Sequence, residues 1–407
     1  MSHPLPRLRL TLDFMPSPSP ENPGLLIRDP YKFSDALLII PPLLVECLSC
    51  FDGRQTELDL RATLVRLTDS LEVEQISRHL TETLSAAGFL EDQAFEDMRN
   101  AKRQAFRECP VREPAHAGSA YPADAAELLE TLQEYMTTDA PATPDDPGNL
   151  FAIAAPHVSP EGGWQSYQSA YRMLRPEHRD RTFVILATSH YGEPDKFGLT
   201  RKPFRTPLGD CETDTAMVDW LAKRGGSAVE MEDYCHSFEH TVEFQTIFLQ
   251  HALGPHVRIL PILCGSYARS IYQGGMPEDS DPVKRFLNAL AELRDREGDR
   301  LFFVLGVDMA HMGARYQDPF EAAANQGVMT EVGARDAQRI QCINAADAGG
   351  FWDLVQQNHD DLKWCGSSPF YTFLKIAPKA RGRLLRYEQW NIDDRSVVSF
   401  AGMAFTE

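Results

Sequence analysis

From residue 150 onward the chain alternates short, continuously apolar runs with longer stretches of helical spacing. The runs over 151–155, 182–187, 257–264 and 301–307 are five to eight residues long and largely β-branched or aliphatic. That is the pattern of strands buried on both faces. Between them, 213–224, 242–252 and 283–296 read as helices, and 383–386 and 397–405 add two further strands. Strands interleaved with helices predict a layered α/β sandwich around a central mixed sheet. No internal repeat is visible.

The first hundred residues follow another pattern. Residues 7–14 alternate strictly, with Leu8, Leu10, Leu12 and Phe14 on one face, which predicts a half-buried strand. A second short apolar run spans 25–27. Asp52-Gly53 marks a turn, and Thr56 is placed to cap a helix reaching to about residue 67. A further helix over 72–87 sets Val73, Ile76, Leu80 and Leu84 at helical spacing, stops at Gly88 and leads into a short strand at Phe89-Leu90. Gln93 to Glu108 reads as a charged helical connector. This order predicts a small α+β winged-helix module over 1–107, followed by a main domain over 108–407. The Pro-, Asp- and Thr-rich stretch 137–149 reads as a surface loop.

Composition narrows the function. The chain has 407 residues, 43% hydrophobic and 24% charged, enough for two packed domains. A net charge of −19 argues against nucleic acid or an anionic membrane surface as partner. No apolar run approaches the ~18 residues of a membrane span. The longest, 36–45, is broken by Pro41 and Pro42. No export or lipidation signal is evident, which places the expected location in the cytoplasm. Eight cysteines in such a chain read as reduced thiols or ligands rather than a disulfide framework. Cys47-x-x-Cys50 lies on an apolar stretch without a second ligand pair and reads as core.

The candidate chemistry sits at strand ends. The run 151–155 leads into Pro156-His157, the run 182–187 into Ser189-His190, and the run 301–307 into Asp308-Met309-Ala310-His311. In open α/β sheets the ligand crevice lies beyond the carboxyl ends of the strands. Glu239-His240, with Glu243 one turn on, opens another helix. Cys365 lies in the turn-rich run Trp364-Cys365-Gly366-Ser367-Ser368-Pro369. A lone histidine at a strand end is more often an ordinary polar residue, and a buried cysteine is often an inert small hydrophobe. Two histidines at equivalent ends, with Asp308 and His311 at a third, shift that balance toward a shared site. Imidazole with thiolate suits Fe, Cu or Zn, and three protein ligands leave positions open for a reaction.

As an ordered set these runs resemble the Memo family, including the bacterial proteins called AmmeMemoRadiSam system protein B. The matching pieces are His116-Ala-Gly-Ser-Ala-Tyr121, Ala155-Pro-His157, Thr188-Ser-His190, Arg205-Thr-Pro-Leu208, Glu239-His240-Thr-Val-Glu243, Val307-Asp-Met-Ala-His311 and Cys365-Gly-Ser-Ser-Pro369. They cover about residues 113–407. The family's fold is similar to that of class III extradiol ring-cleaving dioxygenases, with a mononuclear iron pocket. The resemblance implies His157, His190 and Cys365 as metal ligands and Fe(II) as the metal, with Cu or Zn as alternatives. It implies His311, near Asp308, as the acid–base histidine, with His240 and Glu239 lining the pocket. Two departures stand out. Val158-Ser-Pro follows His157 where Ala-Gly-Tyr is common, and Tyr191 follows His190 where a second histidine often stands. Both change the pocket entrance, so the resemblance implies no particular substrate. The N-terminal module is similar to PqqD-like winged-helix domains that bind peptides, through the turn at Asp52 to Thr56 and the ending Ala87-Gly88-Phe89-Leu90. A small cap that only packs on the main domain is the equal alternative.

Two functions follow as expectations. One is an iron-dependent oxidase or dioxygenase acting on a small aromatic or on a peptide recruited by the N-terminal module. The other is a non-catalytic binder of metal or phosphopeptide. Metal-dependent hydrolysis, with Glu239 or Asp308 as base, has no motif behind it.

Overall fold

The computed structural model describes residues 4–139 and 148–407. The loop expected over 137–149 falls largely outside the described residues. The chain divides into two compact units, Met1–Cys109 and Pro110–Glu407.

In the first unit, β1 (Asp13–Pro16), β2 (Leu25–Arg28) and β3 (Leu37–Ile40) form an antiparallel sheet in that order. Helices follow over Glu57–Thr68, Glu74–Ala86 and Gln93–Glu108. The first begins where the sequence places its cap: Thr56 N–H donates to the Asp59 carboxylate at 2.7 Å, closing a capping box. The third is capped by Asp92, which accepts Phe95 N–H at 3.0 Å. Ile27, Leu60, Leu64, Leu84, Phe89 and Leu90 form the sealed core between sheet and helices. Cys47 and Cys50 are buried there as free thiols.

The strand expected over 7–14 does not form as one element. Leu8 makes a single bridge to Leu90, and only Asp13 and Phe14 enter β1. The reason is Arg9, which lies on the face assigned to solvent yet is 3% exposed. Its guanidinium grips Asp29 at 3.0 and 3.1 Å and the Gly88 carbonyl at 2.8 Å. Leu10, on the face assigned to the core, is 74% exposed. Alternation therefore did not mark inside and outside here, because a paired arginine took an interior place.

The second unit is built on β4 (Leu150–Ala155), β5 (Thr182–Thr188), β6 (Phe197–Leu199), β7 (Phe204–Thr206), β8 (Gly209–Thr213), β9 (Val229–Met231), β10 (Arg258–Cys264), β11 (Leu301–Gly306), β12 (His311–Gly313), β13 (Arg381–Asp393) and β14 (Ser396–Thr406). The main path of the sheet runs β12-β14-β4-β11-β5-β10-β6-β9. Strands β4, β11, β5 and β10 are mutually parallel, whereas β14 joins β4 antiparallel. The sheet is mixed, as the pattern of runs and tail predicts. Along β5, Val184 and Leu186 pack into one apolar layer and Phe183, Ile185 and Ala187 into the opposite one. Helices 215–225, 281–297 and 328–344 cover the first face. Helices 125–137, 160–171 and 240–253 cover the second. Burial on both faces is why these strands read as unbroken apolar runs. All eight cysteines are free, and no helix among the described residues is long and apolar enough to cross a membrane.

Candidate metal centre

Strand order brings the candidate residues together. β11 lies between β4 and β5, so His157, Asp308 and His190 leave the carboxyl ends of three neighbouring parallel strands. The helix His240–Leu253 starts at the same end. Its Thr241 hydroxyl donates to Thr188 O at 2.8 Å, and its Gln245 amide donates to Pro156 O at 2.9 Å. Cys365 arrives just ahead of the helix Ser367–Ile376. Thr188 Oγ1 donates to Cys365 O at 3.0 Å, and Gly366 N–H donates to Asp308 O at 3.0 Å. Gly366 needs close approach rather than a left-handed backbone. A Cβ there would stand 2.6 Å from Asp308 O and 2.8 Å from Val307 Cβ.

Hydrogen bonds decide which nitrogen each imidazole offers. His157 Nδ1 lies 3.0 Å from the Gly306 carbonyl, which can only accept, so Nδ1 carries the proton. Glu239 does the same for two rings. Its Oε1 is 3.1 Å from His190 Nδ1 and 3.2 Å from His240 Nδ1. Each of the three rings is left with Nε2 as its donor, the arrangement in which a second ligand-holding layer fixes tautomer and ring direction. One ring nitrogen from each of His157, His190 and His240 lies within 4.8 Å of the other two. Cys365 Sγ is 3.3 Å from His157 Nε2. His157 is buried, while the His190 and His240 side chains are 28% exposed at the rim. The group that could hold a metal ion therefore joins the two predicted histidines to His240, which the sequence places only on the pocket wall, and the predicted cysteine lies beside His157.

Charge follows this layout. Burial, reinforced by His190 and His240, pushes the His157 pKa well below the ordinary imidazole range. Burial alone would raise Glu239, but the charge and hydrogen bonds of His190 and then His240 hold it well below the carboxylate range. Burial also opposes protonation of His190, yet Glu239 and Cys365 outweigh it and hold that pKa well above normal. Burial raises the Cys365 thiol, and the His190 hydrogen bond partly offsets this. The Glu239 carboxylate thus favours a positive charge on the imidazoles beside it.

The Memo-like protein family matches residues 112–404, most of the chain. The chain belongs to this family. A MEMO1 family protein of Aquifex aeolicus is 26% identical over 388 residues, covering 93% of this chain and 95% of the relative. MEMO1 family proteins of Methanopyrus kandleri and Thermococcus kodakarensis are 25% and 27% identical, each over 72% of this chain and 98% or 99% of their own length. The Aquifex match extends into the first unit. The two archaeal matches cover a share of the chain similar to that of the Memo-like unit.

Within the Memo-like unit, His311 is not among the three grouped imidazoles. Its Nδ1 donates to Met309 O at 2.9 Å and lies 3.1 Å from Lys363 O, which again leaves Nε2 free. Tyr316 stands edge-on to the ring with centroids 4.9 Å apart. Burial, with the charge of His190, lowers the His311 pKa to about 4. Asp308 accepts the backbone N–H of His157 at 2.8 Å, and burial pushes its carboxyl up to about 7. The His311 shift has a testable sign. The unfolded chain protonates this ring near pH 6.5 and the folded chain only near 4, so its stabilising contribution is complete above pH 6.5 and is lost as pH falls through 4. Urea midpoints of wild type and His311→Gln are expected to converge between pH 7 and pH 4. Parallel pH dependences would show the ring to be indifferent to folding.

Sequence reasoning missed what holds the Glu239 loop. Arg112 and Glu243 form an ion pair with both side chains fully buried, and Tyr121 OH also donates to Glu243. Arg112 donates as well to His236 O at 2.7 Å and to Glu239 O at 2.8 Å. The backbone N–H groups of Ala115 and His116 donate to the same Glu243 carboxylate at 3.1 and 3.0 Å. The run from His116 to Tyr121 is thus tied to Glu243. No periodicity could have singled out Arg112. Glu243, on a helix buried on nearly every side, was the available signal.

Proposed function

We propose that the Memo-like unit is a mononuclear Fe(II) centre, with His157, His190 and Cys365 as ligands, that oxidises an organic substrate with O2. The observation that carries this reading is the set of imidazoles whose Nδ1 hydrogens are committed to Gly306 O and Glu239, with the Cys365 thiol 3.3 Å from His157 Nε2. Neutral imidazole with thiolate suits Fe, Cu and Zn. Bound there, Fe(II) would supply the redox chemistry with O2. His240 lies within reach as a further donor. His311, neutral near pH 7, is the group that takes or gives a proton at Nε2. Asp308 holds the His157 backbone in place. The substrate is a small aromatic or a peptide, the latter recruited by residues 1–107, whose turn and ending resemble PqqD-like modules.

The deciding experiment is an anaerobic titration with Fe(II), beside Cu(I) and Zn(II), of wild type and His190→Ala, followed by O2 uptake. One equivalent of iron that is lost in His190→Ala and reacts with O2 supports the oxidase. Tight Cu(I) or Zn(II) without iron would instead favour a binding protein using the same donors. Cys365→Ser is expected to weaken metal binding while leaving the fold intact, and full metal occupancy in that variant would remove Cys365 from the ligand set. His311→Ala is expected to keep the metal and lose turnover. Loss of metal instead would make His311 a ligand.

A further inference from the structure

The helix Val328–Asn344 takes no part in the pocket, yet one of its residues reaches two of the groups that build it. Asp336 is fully buried. Its Oδ1 accepts the Trp364 indole N–H at 2.7 Å. Its Oδ2 accepts the hydroxyls of Tyr387 at 2.7 Å and Ser399 at 2.6 Å. Trp364 immediately precedes Cys365. One residue further back, Lys363 offers one of the two carbonyls beside His311 Nδ1. Ser399 Oγ in turn accepts the backbone N–H of Ala310, the residue before His311, at 2.9 Å. A single carboxylate therefore has one arm to the cysteine turn and one to the acid–base histidine. Arg339, itself buried, lies over the Trp364 ring and donates to Asp360 at 2.8 Å, and Asp360 accepts Trp364 N–H at 3.1 Å.

We infer that Asp336 is a positioning residue that fixes the Cys365 turn relative to the His311 ring. Its purpose rests on the metal reading above; its geometry does not. A carboxylate in a dry core is costly unless its donors are aligned, and an apolar side chain would fill the same space. Three aligned donors, two of them leading to the pocket, mark the group as one that sets distances rather than one that packs.

Asp336→Asn would place an amide among three donors and is expected to disrupt the core, so the arms are cut singly in the full chain. Trp364→Phe removes the arm to Cys365, and Ser399→Ala removes the arm to His311. Tyr387→Phe deletes a comparable hydrogen bond to the same carboxylate but leads to neither group. Two readouts apply. In the metal-free protein, 15N NMR of the His311 ring, assigned by its absence in His311→Gln, reports the tautomer. With Co(II) as probe, the thiolate-to-Co(II) charge-transfer absorption and the Kd report Cys365. Trp364→Phe and Ser399→Ala are expected to turn a fixed Nδ1–H ring into a mixture of tautomers. Trp364→Phe is further expected to weaken the absorption and raise the Co(II) Kd about tenfold. Tyr387→Phe is expected to change neither signal even though it lowers stability. Equal shifts in all three variants, or none in any, overturn the inference and leave Asp336 a core contact. Absence of Co(II) binding by wild type would sink the metal reading, while the His311 spectra would still decide the role of Asp336.

Discussion

Glu239→Gln is expected to lower metal affinity by at least about 10–100-fold while the protein stays folded. Glu239 is 1% exposed, and its two oxygens accept from the backbone N–H of His190, the backbone N–H of His240 and both Nδ1 groups. A glutamine with its oxygen in the Oε1 position keeps both Nδ1 contacts but turns its amide hydrogens toward the backbone N–H of His190, the one donor at Oε2, so the turn that carries the His190 ring must shift. The negative charge that supports a bound cation is also lost. A Zn(II) competition titration, with circular dichroism as the control for folding, measures this. Wild-type affinity in the variant would mean that neither the Glu239 charge nor its grip on the His190 backbone supports a bound cation.

The second large effect concerns stability. Arg112→Met is expected to destabilise the Memo-like unit by about 3–5 kcal/mol, the range for removing one partner of a buried ion pair. Glu243 would keep its charge without a counter-ion, in a place where burial already opposes ionisation and the Arg112 charge is the main force lowering its pKa. The carbonyls of His236 and Glu239 would lose their donors at the same time. Pairing the change with Glu243→Gln removes the stranded charge and is expected to recover part of the loss. Urea denaturation of both variants gives the values. A loss below about 1 kcal/mol for the single variant would mean that the carboxyl simply takes up a proton at little cost.

The parts of the fold that could be read from the sequence share one physical trait. β4, β5, β10 and β11 are apolar on both faces, so composition alone separates them from their surroundings. The helix Pro160–Tyr171 escapes that reading because Gly162 and Gly163 lower its propensity and its burial comes from tertiary packing of Tyr167, Ala170 and Tyr171. Ser367–Ile376 reads as a turn because it opens Ser-Ser-Pro, and nine of its ten residues are buried, which leaves no polar face to give a period. At the site, His157 and His190 stand out by position at strand ends. The membership of His240 among the donors could not be read, because it depends on Glu239 serving two rings, a fact of three-dimensional spacing. Arg112 and Asp336 act through partners far along the chain, beyond any local pattern.

The order of the sheet also bears on how the protein is made. β4 is flanked by β11 on one side and β14 on the other, and Phe405 lies opposite Ala152. At a synthesis rate of about 5–20 residues per second, the roughly 250 residues between them take about 12–50 s to emerge from a ribosome. Throughout that interval β4, apolar on both faces, keeps one edge of unpaired backbone groups, a template for pairing with other chains. Soluble yield is therefore expected to respond to chaperone supply during translation as well as to the stability of the finished fold.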